Sequence, residues 1–210
     1  EKDPSMDLSG QDAAQKLSVL AGLVTGGWLK PGSFPVTGIE PVTARDLSFS
    51  SERLGMAVRL VASLRFSGKP SAPAVEASVA PTLVPLGHPL AAVRRQYNAL
   101  LVRTASAGDL MFYGQGAGAG PTASAVLADM FVLARDIVGG LPPLALAARK
   151  LVLTSPDNAI SGFYLRLEVR DRPGALARIA DALGREGVSI AAIHQDRAVG
   201  GRSVPVMIAT

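Results

Sequence analysis

The first 16 residues, EKDPSMDLSGQDAAQK, combine acidic side chains with a lysine at spacings that suit a site for a polar molecule. Asp12 and Lys16 are four residues apart, so they share one face of the helix predicted there. Asp7 lies on the loop leading into that helix, and with Glu1 it completes a set of three acids expected near Lys16. Carboxylates hold ammonium groups, and a lysine can give a proton to a carbonyl oxygen as a general acid. Judged by spacing alone, this pattern more often indicates the solvent-exposed start of an ordinary helix with one ion pair.

A glycine-rich stretch at residues 113–129, YGQGAGAGPTASAVLAD, is the second candidate. Its four glycines in seven residues let the backbone approach a ligand closely, ahead of a predicted helix whose N-terminus favours anions. The glycines stand at alternate positions and no βαβ pattern surrounds them, so the stretch does not match the GxGxxG fingerprint. The spacing is equally compatible with a flexible connection between a strand and a helix.

The elements that must position these motifs alternate between helical and extended patterns. Apolar residues at spacings of three and four predict a helix from about Gly10 to Val24, capped by Asp7 or Ser9 and ended by Gly26-Gly27. Pro121 opens a second predicted helix that extends to about Val138. The other predicted features are a short strand at 38–42, an element starting at Asp46 or Ser48, a buried strand or helix end from Met56, strands at 75–84 and 99–104, turns at His88 and at Gly108-Asp109, and a strand running into the glycine stretch.

Residues 162–210 form a separate predicted unit of order βαββ, which is half of a ferredoxin-like fold. FYLRLEVRD alternates apolar and polar residues as a half-buried strand does, and RPGALARIADALGREG has the apolar face of an amphipathic helix. VSIAAIHQD and SVPVMIAT are the two further predicted strands. The turn at Gly174 offers backbone to a small amino acid, although tight packing of the helix on the sheet is the commoner reason for a single glycine.

Composition excludes several classes of protein. About 48% of the 210 residues are apolar and 18% are charged, which favours a packed core. The net charge of +4 is scattered, without the clustered basic residues of a nucleic-acid-binding protein. With no cysteine and two distant histidines, His88 and His194, the sequence predicts neither a metal site nor a catalytic histidine. No apolar run is long enough for a membrane span, and the default expectation is a soluble cytoplasmic protein.

Taken together, the segments resemble the homoserine dehydrogenase family and keep the family's order. The resemblance lies in EKDPSMDLSGQDAAQKLSVLA, GIEPVTARDLSFSSERLGMAVRLVA, VAPTLVPLGHPLAAVRRQYNALLV and FYGQGAGAGPTASAVLAD. The C-terminal unit resembles an ACT domain, an amino-acid-sensing module found in the longer, monofunctional members. Several blocks in one order are more specific than any single motif.

The resemblance implies reduction of L-aspartate 4-semialdehyde to L-homoserine, on the route to threonine, isoleucine and methionine. Lys16 matches the family's catalytic lysine, which exchanges a proton with the substrate oxygen. Asp12 matches the acid that orients the substrate and that lysine. Glu1 matches the substrate-binding glutamate, and Asp7 matches a further acid in the pocket.

The cofactor implied by the resemblance is NADPH or NADH. Gly118 matches the glycine that touches the nicotinamide cofactor from this side, and Gly116 is its neighbour. The family's N-terminal Rossmann domain and a second pocket lysine are missing from the sequence, and the ACT unit stops before its second helix and fourth strand. We therefore expect the chain to be a fragment that is inactive alone.

The sequence thus predicts an α+β architecture: a mixed β-sheet with helices on one face, followed by a partial ferredoxin-like βαββ ACT unit. The expected domains are a catalytic domain at 1–140, a linker at 141–161 and the ACT domain at 162–210. The expected partners are the semialdehyde and homoserine, L-threonine as an effector, and further copies in a homodimer or homotetramer, with no nucleic acid or membrane. The alternative is a non-catalytic ACT-type sensing or oligomerisation module.

Overall fold

A computed structural model of the chain describes residues 3–69, 72–141, 151–154, 161–196 and 203–210. The architecture is α+β, with helices packed on small sheets, as the sequence predicts. The helices are Ser5–Leu8 (α1), Gln11–Thr25 (α2), Ala44–Arg53 (α3), Ala119–Val138 (α4) and Ala175–Arg185 (α5), with a 3-10 turn at Pro89–Ala92. The strands are Met56–Lys69 (β1), Ala72–Pro85 (β2), Tyr97–Thr104 (β3), Gly108–Gln115 (β4), Val152–Leu153 (β5), Tyr164–Arg170 (β6), Ala192–Gln195 (β7) and Ser203–Ala209 (β8).

A long hairpin forms the centre of the N-terminal part. β1 and β2 pair antiparallel along their whole length, and β5 adds to β2 in parallel, so the sheet is mixed. β5 lies within 141–161, the range predicted as a linker, and the predicted domain boundaries themselves stay a prediction.

Helix α2 covers one face of this hairpin. Its small and branched apolar residues at helical spacing, Ala14, Leu17 and Ala21, are at most 4% exposed. They pack with Val79 of β2 and with other buried side chains in one apolar cluster. Leu17→Ala would cost about 2–5 kcal/mol, the usual range for truncating a buried leucine. The charged residues of α2, Asp12 and Lys16, lie outside this buried cluster.

The start of α2 differs from the prediction. Its N-cap is Gly10, in the left-handed conformation with φ 80°, and not Asp7 or Ser9. Asp7 belongs to α1, so it lies in a short helix and not on a loop. The reason is steric: the α1–α2 turn needs a positive φ where the backbone passes Val79, and a Cβ on Gly10 would lie 3.1 Å from that side chain. The predicted end at Gly26 is confirmed, again with a left-handed cap.

The strand predicted at 38–42 is wrong. An isolated bridge joins Val36 to Val79 just before this range, and the chain then turns through Gly38 and Pro41 into α3. The following helix begins earlier than predicted, because Thr43 caps it and Asp46 is the third helical residue of a capping box.

The C-terminal unit has the predicted βαββ order. Its strands lie in the order β6-β8-β7, with β8 antiparallel to both neighbours, so β6, α5 and β7 form a split βαβ unit. The central strand β8 is buried from Val204 to Ala209. Helix α3 lies against this unit, with the ring of Phe49 6.1 Å from that of Tyr164 and 5.9 Å from that of His194.

The β3–β4 hairpin and α4 are far more exposed to solvent than the rest of the described structure. Every residue of β4 is exposed, and α4 has no buried residue among those described. The β3–β4 turn lies at residues 105–107, ahead of the predicted Gly108-Asp109, because Gly108 already starts β4. None of the helices in the described part of the chain is long and apolar enough to cross a membrane.

Candidate functional site

The ion pair of Asp12 and Lys16 is the centre of the candidate site. Both residues lie on α2 one turn apart, and Lys16 Nζ is 2.6 Å from Asp12 Oδ2. The lysine side chain is 54% exposed and that of the aspartate 36% exposed. The opposite face of α2 is anchored in the core, so the helix presents both groups together to solvent. A carbonyl oxygen approaching this face would meet an ammonium group that already has a fixed direction.

Asp7 lies one short helix earlier and is exposed. No hydrogen bond or ion pair of the described residues joins it to Lys16, although both flank the turn at Gly10. Asp3 accepts a hydrogen bond from the backbone N–H of Ser5 at 3.0 Å, and this bond lowers the pKa of the Asp3 carboxyl. Glu1, the predicted substrate-binding glutamate, lies outside the described residues.

The turn between α1 and α2 is held from the side by residues 38–39. The N–H of Ile39 donates to the carbonyl oxygen of Leu8 at 2.8 Å. A Cβ on Gly38 would lie 2.3 Å from that oxygen and 2.7 Å from Ser9 Cα, so only glycine permits this approach. This requirement for glycine at position 38 was not predicted from the sequence, because only the position of Gly38 in the stretch GIEP could have indicated it.

The predicted cofactor-binding glycines lie where β4 leads into α4. Gly118 is the N-cap of α4 at φ 125°, a conformation that L side chains rarely adopt. Gly116 packs on Asn98, and a Cβ there would lie 2.0 Å from Asn98 Nδ2. Neither glycine carries a side chain, and Gly118 lies at the N-terminus of α4, which favours an anionic group. No hydrogen bond among the described residues connects this turn to Lys16.

Gly174, the third glycine of interest, precedes α5. Its φ is 81°, and nothing lies within 4 Å of a Cβ built on it. The tight-packing explanation is therefore wrong, because the left-handed backbone of the N-cap is what requires glycine. Binding of an amino acid by this turn stays a prediction.

A buried polar cluster that the sequence did not reveal centres on Asp46, which is 3% exposed. Its carboxylate accepts hydrogen bonds from the backbone N–H and the hydroxyl of Thr43 at 2.6 and 2.7 Å, and also from Tyr164 and Arg166 of β6. Burial alone would raise the pKa of Asp46, but the hydrogen bonds of Tyr164 and Thr43 and the charge of Arg166 outweigh it and lower that pKa. Burial and the carboxylate together raise the pKa of Tyr164 above its usual value, so its hydroxyl stays a donor.

The histidines have structural contacts. His88 Nδ1 accepts a hydrogen bond from the N–H of Leu90 at 3.2 Å and so caps the 3-10 turn. His194 stacks on Phe49, with Nε2 3.1 Å from Asp196 Oδ1. Among the residues that the structure describes, no group of three or more histidine, aspartate or glutamate side chains could hold a metal ion.

Two family models match the chain. The model described as homoserine dehydrogenase matches residues 1–131, and the model described as ACT domain matches residues 163–210. The first match contains Asp7, Asp12, Lys16 and both glycines of the β4–α4 turn.

Relatives and solved structures agree with these matches. The homoserine dehydrogenase of Corynebacterium glutamicum is 36% identical over 93% of this chain and 44% of its own length. That of Mycobacterium tuberculosis is 37% identical over 99% of the chain and 48% of its own length. The crystal structure of a homoserine dehydrogenase from Thiobacillus denitrificans superposes with a TM-score of 0.84 at 31% identity, over 100% of this chain and 48% of that one. The chain spans about half the length of the curated relatives that it matches.

Proposed function

The chain belongs to the homoserine dehydrogenase family, and from that membership we propose that it supplies the substrate half of an active site that reduces L-aspartate 4-semialdehyde to L-homoserine. The observation that carries the proposal is the Asp12–Lys16 pair, fixed at 2.6 Å on a helix whose other face is buried. A degenerate domain would have no reason to retain all four residues that match the family's pocket, Glu1, Asp7, Asp12 and Lys16. The proposed hydride donor is NADPH or NADH.

The proposed role of Lys16 follows from the charge that develops during reduction. As the carbonyl carbon becomes tetrahedral, its oxygen becomes an alkoxide, which an adjacent ammonium group stabilises. Lys16 Nζ gives its proton to this oxygen and is protonated again from solvent. Asp12 orients the ammonium group, since its carboxylate is the partner that the lysine already has.

The proposed roles of the remaining acids concern the substrate's own charge. L-Aspartate 4-semialdehyde carries an α-ammonium group, for which carboxylates are the natural partners. We assign this task to Asp7 and, outside the described residues, to Glu1. Asp7, in α1 beside the α1–α2 turn, would bind the amino-acid end of the substrate while Lys16 meets the aldehyde end.

The cofactor, when bound, supplies the hydride that adds to the carbonyl carbon. Gly116 and Gly118 fit one side of such a group, because neither carries a side chain and both lie in the turn that leads into α4. They have no side chain that could form a hydrogen bond to the ribose or to a phosphate of the cofactor. The other contacts to the cofactor must therefore come from another part of the enzyme, which in this family is the Rossmann domain.

The exposed apolar side chains of α4 support the same conclusion. Phe131, Ile137 and Val138 are between 75% and 89% exposed. A helix with apolar residues on all sides is normally buried against other structure. We therefore propose that the 210 residues alone are inactive and that the complete enzyme combines them with a nucleotide-binding domain.

The experiment compares this chain alone with the same chain fused behind the N-terminal half of the Corynebacterium glutamicum relative. NADPH oxidation with the semialdehyde is expected from the fusion and absent from the chain alone. Turnover by the isolated chain would contradict its inactivity. A folded fusion that binds NADPH but does not turn over would contradict the proposed reaction and favour the alternative, a non-catalytic sensing or oligomerisation module.

The ACT unit suggests regulation of the proposed enzyme. ACT domains sense amino acids, and L-threonine, a product of the proposed pathway, is the effector that we propose. Titration calorimetry of L-threonine with the complete enzyme tests this, and absence of both heat and inhibition would refute it. We also propose a homodimer or homotetramer, which sedimentation of the complete enzyme measures.

A further inference from the structure

A strand of the ACT unit forms hydrogen bonds to the chain segment that leads into α3. Arg166 of β6 donates from Nη2 to the carbonyl oxygen of Pro41 at 3.0 Å and from Nη1 to Thr43 Oγ1 at 3.2 Å. The same Nη1 bonds to the Asp46 carboxylate. Tyr164, two residues earlier on the same face of β6, donates its hydroxyl to the other carboxylate oxygen. We call these groups the β6 clamp: Pro41, Thr43, Asp46, Tyr164 and Arg166.

The clamped segment continues directly to the candidate active site. Two residues before Pro41, the N–H of Ile39 holds the carbonyl oxygen of Leu8 at 2.8 Å. Leu8 ends α1, so it is the neighbour of Asp7 and lies two residues before the cap of α2. Gly38 packs against the same carbonyl and Ser9. A continuous path of hydrogen bonds and short backbone links thus runs from β6 to the turn that presents Asp7, Asp12 and Lys16.

We propose that Arg166 and Asp46 are positioning residues of the active site, acting through Ile39 and Leu8 on the placement of Asp7 relative to Lys16. This inference rests on the proposed function for its effect on catalysis, although the clamp itself is a structural claim that can be tested without turnover. The forked guanidinium suits the role, because its planar donors engage a carboxylate and a backbone carbonyl in a fixed geometry that the flexible ammonium group of a lysine does not impose. The ACT unit then contributes to substrate binding before any effector is present.

The geometry explains why loss of the clamp would reach the site. Asp46 is buried, so its carboxylate cannot replace lost protein donors with water. The capping box between Thr43 and Asp46 shares the same atoms, and its loss would loosen the first turn of α3 together with residues 39–43. Misplacing a reacting or binding group by about 1 Å can cost roughly 100-fold in rate.

The first test is hydrogen exchange in the complete enzyme, read from peptides that cover residues 36–47. Arg166→Gln removes the fork, and we expect the Ile39 amide to exchange at least about tenfold faster, since its protection depends on local opening. Arg170→Gln is the matched control, because Arg170 is exposed on the same face of β6 and has no hydrogen bond or ion pair among the described residues. Unchanged exchange at Ile39 in Arg166→Gln would overturn the clamp, whatever the enzyme's activity.

The second test is steady-state kinetics of the same variants. Arg166→Gln should lower kcat/KM for the semialdehyde about 10- to 100-fold while leaving the KM for the nicotinamide cofactor unchanged, since the clamped path leads to the substrate side. Arg166→Lys should recover part of this loss, and Arg170→Gln should match the wild type. If Arg166→Gln does not fold, Arg166→Lys and Tyr164→Phe carry the comparison. Faster exchange at Ile39 with unchanged kinetics would overturn the positioning role, whereas an inactive wild type would refute only the proposed function.

Discussion

Asp12 and Lys16 lie on successive turns of α2 with 2.6 Å between their charged atoms, yet the pair is more than one-third exposed. An exposed pair at this spacing stabilises a helix by about 0.3–0.5 kcal/mol. Its contribution to folding is therefore small, and mutations of the pair separate catalysis from stability unusually well. Every kinetic effect given below is that of the complete enzyme.

Asp12→Asn should reduce catalysis without unfolding the protein. The amide retains the volume of the carboxylate but cannot hold the ammonium group by charge, so we expect kcat to fall about 10-fold or more. The melting temperature should change by no more than about 1–2 °C, given the small worth of an exposed pair. Asp181→Asn is the control, since Asp181 forms an exposed i,i+4 pair with Arg185 on α5. An equal loss of kcat in both variants would count against a specific role for Asp12.

Gly118→Ala should weaken use of the cofactor. The backbone at φ 125° is strained for any L residue, and the methyl group would lie 3.4 Å from the ring of Pro121 at the start of α4. We expect the KM for NADPH or NADH to rise several-fold, with a smaller change in the KM for the semialdehyde. Gly120→Ala is the matched control, because its Cβ would meet nothing within 4 Å and its φ is not positive. If the two variants have the same cofactor KM, Gly118 is not part of the cofactor site.

Asp46→Asn should alter how the free energy of unfolding depends on pH. The pKa of Asp46 is lower in the folded chain than its usual value of 3.8, so its charge stabilises the fold at higher pH. This stabilisation is complete above about pH 5 and is lost as the pH falls through 3.8 towards the lower folded pKa. The variant lacks the titrating group, so its free energy of unfolding should be lower than that of the wild type at pH 7 and should fall less steeply in acid. Urea unfolding at several pH values measures both slopes, and parallel slopes would show that Asp46 does not hold its charge in the clamp.

Tyr164 should remain protonated in moderately alkaline solution. Burial and the nearby Asp46 carboxylate raise the pKa of its hydroxyl above the usual 10.0. The ultraviolet difference between the wild type and Tyr164→Phe should therefore show no phenolate absorbance near pH 10, where a solvated tyrosine is about half ionised. Ordinary phenolate absorbance in that difference would place Tyr164 in solvent, away from Asp46.

Local patterns in the sequence account for much of the fold. The apolar spacing of Ala13, Leu17, Leu20 and Val24 predicts α2, although the buried face runs through Ala14, Leu17 and Ala21 and leaves Val24 exposed. The order βαββ is readable from alternation and periodicity alone. The cap at Gly10 was missed because a glycine cap carries no side-chain signal. The strand predicted at 38–42 is wrong because the N–H of Ile39 bonds to Leu8 and that of Val42 bonds to Ile39, and neither bonds to a neighbouring strand. These are consequences of tertiary contact, which no local pattern records.

The Asp12–Lys16 pair and the β6 clamp differ in how far apart their residues are in the sequence. Asp12 and Lys16 are four residues apart, so helical geometry alone brings them together. Asp46 and Arg166 are separated by 120 residues, and only the packing of α3 on the C-terminal sheet joins them. Thr43 and Asp46 did carry a capping-box signal, but nothing in it identified the partners on β6.

The most direct test of the account is the turnover number of Lys16→Ala in the complete enzyme. Because the ammonium group acts on charge that appears in the transition state, kcat should fall about 100-fold or more while the KM for the semialdehyde changes little. Lys30→Ala, which removes an exposed lysine beyond the end of α2, should match the wild type. A folded Lys16→Ala enzyme with near-wild-type kcat would remove Lys16 from the mechanism and contradict the proposed site.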